Sequence, residues 1–239
     1  MKTHEILDVL QQNKIPVRND LPEKLHIYLN LLLEWNKNMD LTAVITEREA
    51  LEKHFLDSLS VLRYGFIREE TNMIDVGTGA GFPGLVLAMA RPDLEVTLLD
   101  SQRKRLLFLE RVIDETGTGN VTIIHSRAED GARRKELRGQ FDYATARALA
   151  PLNILCEYLL PFVKINGYAL CWKGPAINEE MASGTKAAHI LGGRIEMPVV
   201  CSVEGQNWSH IILPIKKLHS TPGTYPRKAG TPKNKPLGT

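Results

Sequence analysis

The chain has 239 residues, 43% of them apolar, and a formal net charge of +2, enough for one sizeable α/β domain with an appendage. No apolar run approaches the ~18 residues of a membrane helix, and the polar opening Met1-Lys2-Thr3-His4-Glu5 does not read as a signal peptide, so a cytoplasmic protein is expected. Three cysteines, Cys156, Cys171 and Cys201, lie in apolar context without metal-ligand spacing, which predicts reduced core residues and no metal site.

Leu21, Leu25, Tyr28, Leu29, Leu32 and Leu33 recur at helical spacing and give one apolar face, ending in the polar stop Trp35-Asn36-Lys37-Asn38. Residues 47–64 form a second predicted helix bearing His54, Asp57 and Ser58. Strands are then predicted near 72–76, 95–100, 121–124, 141–146 and 163–171. They alternate with helices near 84–91, 102–116, 129–137 and 150–160, and another helix covers 176–190. Two last strands, near 194–202 and 208–215, flank Glu204-Gly205-Gln206-Asn207, which has the composition of a hairpin turn. Such alternation implies a doubly wound, mostly parallel sheet, made mixed by the final pair. Seven strands with an antiparallel last strand is the Rossmann-like organisation of class I methyltransferases. The expected division is a helical extension (1–66), a core (67–216) and a tail (217–239).

The most informative stretch follows the first strand: Asp75-Val76-Gly77-Thr78-Gly79-Ala80-Gly81-Phe82-Pro83-Gly84. The second strand ends on Asp100. Strand, glycine loop, helix and an acid-tipped second strand make a nucleoside-binding unit. Its glycines let the backbone approach the ligand, and its acid accepts hydrogen bonds from ribose hydroxyls. Gly79, Gly81 and Gly84 also satisfy Gly-x-Gly-x-x-Gly, so an NAD-dependent oxidoreductase stays open as an alternative. Two details favour S-adenosylmethionine. The Asp75 carboxylate suits a methionine ammonium and would repel a pyrophosphate. Pro83 suits the first turn of a helix.

Ligands of a doubly wound sheet sit at the carboxyl ends of its strands. Beyond the third strand, Ala128 and Glu129 are candidates for holding adenine, the alternative being a helix start enriched in acids. Arg147 follows the fourth strand amid alanines, and Lys173 follows the fifth on the same rim. His54 is a nominal base, but a lone helical histidine more often caps or packs, and no role is assigned to it.

Beyond Glu204 the chain has no acid, whereas Lys216, Lys217, Arg227, Lys228, Lys233 and Lys235 supply six positive charges. The rest of the chain carries 24 basic against 28 acidic residues. A basic tail on a near-neutral protein suggests contact with polyanions, and a solvated terminus is the bland alternative. Its prolines and glycines argue against a helix and for an extended segment that orders on binding RNA. A non-enzymatic RNA-binding protein would share that tail but leaves the glycine loop unexplained.

Taken together, the motifs resemble one family nearly from end to end. They are Trp35-Asn36-Lys37 with Leu41-Thr42, His54-x-x-Asp57-Ser58-Leu59, the glycine loop, Asp100-Ser101-x-x-Lys104, Arg127-Ala128-Glu129, Ala146-Arg147-Ala148, Lys173-Gly174 and Tyr225-Pro226-Arg227-Lys228. This set is similar to the bacterial RsmG (glucose-inhibited division protein B) family. The resemblance implies S-adenosylmethionine-dependent methylation of guanine N7 in the 530 loop of 16S ribosomal RNA, free or in a small-subunit particle, by a monomer without metal. Carried over by position, it implies cofactor contacts at Gly77, Phe82, Asp100, Ser101, Gln102, Ala128, Glu129 and Arg147. It likewise implies substrate positioning by Arg127, Arg147, Lys173 and Arg227. Trp172 departs from the small aliphatic residue expected before Lys173.

The chemistry agrees independently. Guanine N7 carries a lone pair and no proton, so in-line methyl transfer needs alignment rather than a general base. The chain has neither an Asn-Pro-Pro-Tyr loop for amine methylation nor a cysteine following proline for pyrimidine C5 chemistry.

Overall fold

Two buried strands set the frame of the computed structural model, which describes residues 1–206 and 209–239. β1 (Asn72–Val76) pairs in parallel with β2 (Glu95–Asp100), Asp75 opposite Leu98. β3 (Val121–His125) lies outside β2, while β4 (Phe141–Arg147) and β5 (Val163–Lys173) continue on the other side, all parallel. Three further strands are β6 (Gly193–Ile195), β7 (Val199–Ser202) and β8 (Ser209–Lys217). The last runs antiparallel to β5 with Trp172 opposite Ile212, and the order is β3-β2-β1-β4-β5-β8-β6, with β7 also on β8. The doubly wound mixed sheet expected from the alternation is therefore present.

The sheet has eight strands among the described residues, not the expected seven. The segment near 194–202 is two strands laid end to end along β8, separated by Glu196-Met197-Pro198. Pro198 has no amide hydrogen for the β8 ladder, so pairing stops and resumes at Val199. Of the expected turn, Glu204 and Gly205 do turn, while Asn207 and the first residue of the expected last strand, Trp208, lie outside the described residues.

Alternate strand residues feed two cores. Met73, Val96, Leu98 and Leu170 face one core, and Ile74, Val76, Leu99 and Ala169 the other. The first is covered by α1 (Thr3–Gln12), α2 (Leu21–Met39), α5 (Gly84–Ala90) and α6 (Arg103–Thr116). Of the apolar face read from the sequence, Leu21, Leu25, Tyr28, Leu29 and Leu32 are buried and Leu33 is half-buried. Residues 1–66 thus share their core with one face of the sheet. Tyr28 reaches furthest: its hydroxyl donates to the Ala80 carbonyl and its ring stacks on Phe82 at 5.5 Å. The second core is closed by α8 (Leu152–Leu159) and α9 (Met181–Ile190).

Residues 47–64 are a continuous rod of changing pitch. It comprises α3 (Glu47–Ala50), a π-helical stretch (Leu51–Leu56), α4 (Asp57–Leu59) and a 3-10 stretch (Ser60–Tyr64). π turns re-aim side chains, and here His54 and Asp57 both meet Arg147. α7 (Ala128–Gly131) stops well short of the expected 129–137. The turns after it leave Arg133 and Arg138 to bind the tail.

That tail is a packed strap, which corrects the expectation of an extended segment ordered only by RNA. Its proline-glycine backbone leaves carbonyls without partners of their own, and arginines supply them. Arg138 donates to the carbonyls of Thr221 (2.9 Å), Pro222 (3.2 Å) and Tyr225 (2.8 Å), and Arg133 to that of Pro226 (2.5 Å). Asn153 holds the Leu237 carbonyl at 2.9 Å. Thr231–Asn234 closes into one helical turn, α10, where no helix was expected. β8 extends to Lys217, one residue past the expected boundary. The Lys217 ammonium is buried, donating to the Leu160 (2.6 Å) and Leu191 (3.1 Å) carbonyls, and burial lowers its pKa to about 7.

Candidate active site

All five rim segments predicted from the sequence meet at the carboxyl ends of β1 to β5. Gly77 turns the chain after β1 with φ +69°, and a Cβ there would lie 2.7 Å from the Leu149 side chain. Asp75 braces this loop from beneath. It is wholly buried, and its Oδ2 accepts from the Thr78 hydroxyl (2.7 Å) and the Gly84 N–H (2.9 Å). Burial raises its pKa to about 6. Its Oδ1 is buried without a hydrogen-bond partner among the described residues, so the loop takes only one of the two carboxylate oxygens.

Asp100, 3% exposed, accepts the Gly79 N–H at 2.9 Å on Oδ2 and the Gln102 N–H at 2.8 Å on Oδ1. Each oxygen keeps a lone pair beyond these bonds. A cleft of about 200 Å³ opens beside it, lined by Gly77, Asp100 and Ser101 on one wall and Arg127, Ala128 and Glu129 on another. Leu149, Tyr158 and the strap residues Gly230 and Lys233 complete it. Glu129 accepts the Gly230 N–H at 2.9 Å, so the strap forms part of the wall. A fixed acid, a glycine without room for a side chain, and apolar Leu99 and Leu149 fit the ribose and base of a nucleoside.

Three expected cofactor residues, Gln102, Phe82 and Arg147, stand apart from this cleft. Gln102 contributes its backbone N–H to Asp100, and Phe82 is buried in an aromatic stack between Tyr28 and His54, whose ring lies 4.8 Å away. Arg147 lies over Phe82, its guanidinium carbon 5.0 Å from the ring centre, and lines a different cavity.

That second cavity, about 590 Å³ and open, is bounded by Lys53, His54, Arg147, Pro175, Ser209 and His210. Trp172 and Lys173 line an adjoining recess of about 190 Å³ that shares Arg147 and His210 with it. Arg147 donates to Asp57 Oδ2 (2.9 Å), the Lys53 carbonyl (3.0 Å) and His54 Nδ1 (3.0 Å). Burial, aided by the Arg147 charge, lowers the His54 pKa to about 4. Neutral His54 therefore accepts from Arg147 at Nδ1 and donates from Nε2 to the Thr42 hydroxyl at 2.6 Å. Asn36 in turn pins the Thr42 N–H at 2.9 Å. The motifs Trp35-Asn36-Lys37, Leu41-Thr42 and His54-x-x-Asp57 thus converge on one arginine.

The remaining predicted residues separate. Arg127 is exposed at the lip of the first cleft. Lys173 stands on the rim as expected, paired with Glu180 at 2.7 Å and with the Ala150 carbonyl at 3.2 Å. Arg227, expected at the substrate mouth, is the clear correction. Its side chain and backbone N–H embrace Glu157 at 2.6–3.2 Å, because a fully buried carboxylate must be paired. Asp57, His210, Tyr158 and Lys233 were not singled out as site residues. Asp57 stood beside His54 in one motif and Lys233 among the basic tail residues, while no local signal marked His210 or Tyr158. The cysteines are buried as expected, and burial lifts the Cys171 thiol to about 12.

Comparison with known proteins agrees with this geometry. The profile of the family described as rRNA small subunit methyltransferase G (GidB) matches residues 21–209. A ribosomal RNA small subunit methyltransferase G from Alkaliphilus oremlandii is 46% identical over 237 residues, covering 98% of this chain and 99% of that protein. Its counterpart from Clostridium perfringens is 46% identical over 218 residues, 91% of each. Among solved structures, a SAM-dependent methyltransferase from Aquifex aeolicus superposes with a TM-score of 0.53 at 20% identity, covering 70% of this chain and 92% of that one. The Methanococcus jannaschii fibrillarin pre-rRNA processing protein gives 0.52 at 15% identity, covering 67% and 74%. At such identities these two show a shared fold.

Proposed function

The chain belongs to the rRNA small subunit methyltransferase G family, and we propose that it transfers a methyl group from S-adenosylmethionine to N7 of a guanine in the 530 loop of 16S ribosomal RNA. The observation that carries this reading is the pair of cavities: a nucleoside-sized cleft beside Asp100 and a larger basin beside Arg147, adjoining across Arg147-Ala148-Leu149.

Asp100 would accept from the ribose hydroxyls of the cofactor, Gly77 would admit its backbone-side face, and Ala128 with Glu129 would border its adenine. When bound, the cofactor supplies an electrophilic methyl group. The protein's part is alignment, which can contribute about 7–11 kcal/mol. Arg147 holds the rim between the two cavities, Arg127 offers positive charge to phosphates at the lip of the cleft, and Lys173, paired with Glu180, lines the recess beside the basin. Of the six tail charges, Lys228, Lys233 and Lys235 remain exposed for the same purpose. A neutral His54 committed at both nitrogens suits a reaction that removes no proton. A monomer is proposed as the working form, and a ribosomal substrate implies work in the cytoplasm.

The test is transfer of labelled methyl from S-adenosylmethionine to unmethylated 16S RNA or small subunits, followed by borohydride reduction and aniline scission. Cleavage at a single guanine of the 530 loop is expected. Label that resists scission would overturn the N7 assignment, and labelling elsewhere would overturn the site.

A further inference from the structure

Asp57 is 1% exposed, yet it divides its carboxylate between two groups that border the basin. Oδ2 takes Arg147 at 2.9 Å and Oδ1 takes Nδ1 of His210 at 2.6 Å. Its main-chain carbonyl accepts the Trp172 indole N–H at 3.3 Å, fixing the segment to β5. Burying a carboxylate is costly unless it is fully paired, and apolar residues of similar volume would pack such a position as well. Here the burial serves two side chains at the wall of an open cavity, His210 being 35% exposed.

Arg147 spends three of its five N–H groups on Asp57, His54 and the Lys53 carbonyl, which leaves two for a ligand. His210 borders both the main basin and the recess of Trp172 and Lys173, where an unstacked base would pass. Its Nδ1 bond to Asp57 fixes the plane and tautomer of the ring, as a carboxylate does for a ligand-facing imidazole. We infer that His210 contacts the guanine nucleotide of the RNA directly, and that Asp57 is a positioning residue holding His210 and Arg147 as a pair. This inference rests on the RNA-methyltransferase reading above.

The experiment uses the full chain, unmethylated small subunits and the variants His210→Phe, His210→Asn and Asp57→Asn. His210→Phe keeps a ring but loses the bond, and its KM for RNA should rise about tenfold, the value of one hydrogen bond. S-adenosylhomocysteine affinity should stay as in the unaltered protein, while the melting temperature falls because Asp57 loses one partner. His210→Asn retains a donor toward Asp57 but not the reach into the basin, so it should fail to restore KM. Asp57→Asn should raise KM, and combining it with His210→Phe should add less than either change alone. An unchanged KM in His210→Phe would overturn the inference while methylation by the unaltered enzyme leaves the function standing. Rescue by His210→Asn would also overturn it, by showing that His210 acts only through the fold. No transfer by the unaltered enzyme would overturn the functional reading and this inference with it.

Discussion

Arg147, at the end of β4, and Arg227, in the C-terminal strap, make nearly the same bond. Each is largely covered, with side chains 15% and 24% exposed, and each grips a carboxylate that water barely reaches, Asp57 or Glu157. Arg227 gives everything to its partner: both Glu157 oxygens are taken by its guanidinium and backbone N–H. Arg147 divides its bonds among Asp57, His54 and a carbonyl, lies on Phe82, and borders an open cavity. An ion pair is therefore not itself a sign of function. What separates the two is whether the surrounding groups close over the arginine or leave it at a wall where something else can bind.

The largest expected effect breaks the closed pair. Arg227→Ala leaves Glu157 buried and unpaired, and should cost about 3–5 kcal/mol of unfolding free energy in urea. Replacing both partners by Leu and Met should recover most of it. If Arg227→Ala instead lowers RNA affinity with stability intact, the two arginines are alike after all.

Arg147→Ala should do the reverse. Methyl transfer is expected to fall about a hundredfold, as for the loss of two charge-assisted hydrogen bonds. Unfolding free energy should change less than in Arg227→Ala, because His210 remains on Asp57. Normal transfer rates would remove Arg147 from the site.

Acid and base should sharpen the contrast further. His54, at about 4 in the folded basin, is charged in the unfolded chain up to its ordinary value near 6.5. Lys217, at about 7 under the strap, is charged in the unfolded chain up to about 10.5. Each of these two groups binds more protons in the unfolded state and so contributes stability that increases with pH, His54 from about 4 to 6.5 and Lys217 from about 7 to 10.5. Asp75, its pKa raised to about 6, works in the opposite sense within the lower window. Denaturation across pH should lose the His54 contribution in His54→Gln and the Lys217 contribution in Lys217→Met. A lower window left unchanged in His54→Gln would mean that His54 is not held neutral.

The smallest effect joins the strap to the cleft. Gly230 sits at φ +83° with its N–H on Glu129. Gly230→Ala should strain that turn by about 1 kcal/mol and weaken S-adenosylhomocysteine binding severalfold. Unchanged affinity in calorimetry would show that the strap merely lies beside the cleft.

The residues legible in the sequence are those whose chemistry is local. Asp75 through Gly84 read as a ligand loop because a glycine turn after an apolar strand is a property of ten neighbouring residues, and Asp100 followed from the length of one strand-helix-strand unit. The alternation of strands with helices was enough to imply a doubly wound sheet. In it Met73 and Ile74, or Leu98 and Leu99, face opposite cores, because side chains on a strand part to opposite sides. The break at Pro198 was written in the chain as well, but a single proline was outweighed by the apolar residues around it.

Partnership across the chain was not legible. Asp57 finds Arg147 and His210, 90 and 153 residues away. Arg227 finds Glu157 at a separation of 70. Sequence fixes that these groups are charged, and burial then obliges each carboxylate to be paired, because an unpaired charge in a low-dielectric interior is too costly to fold around. Which cation answers which carboxylate depends on how strands, rod and strap are brought together in space. That choice, made only by the tertiary structure, turned Arg227 inward as a fastener and left Arg147 at the wall of the basin.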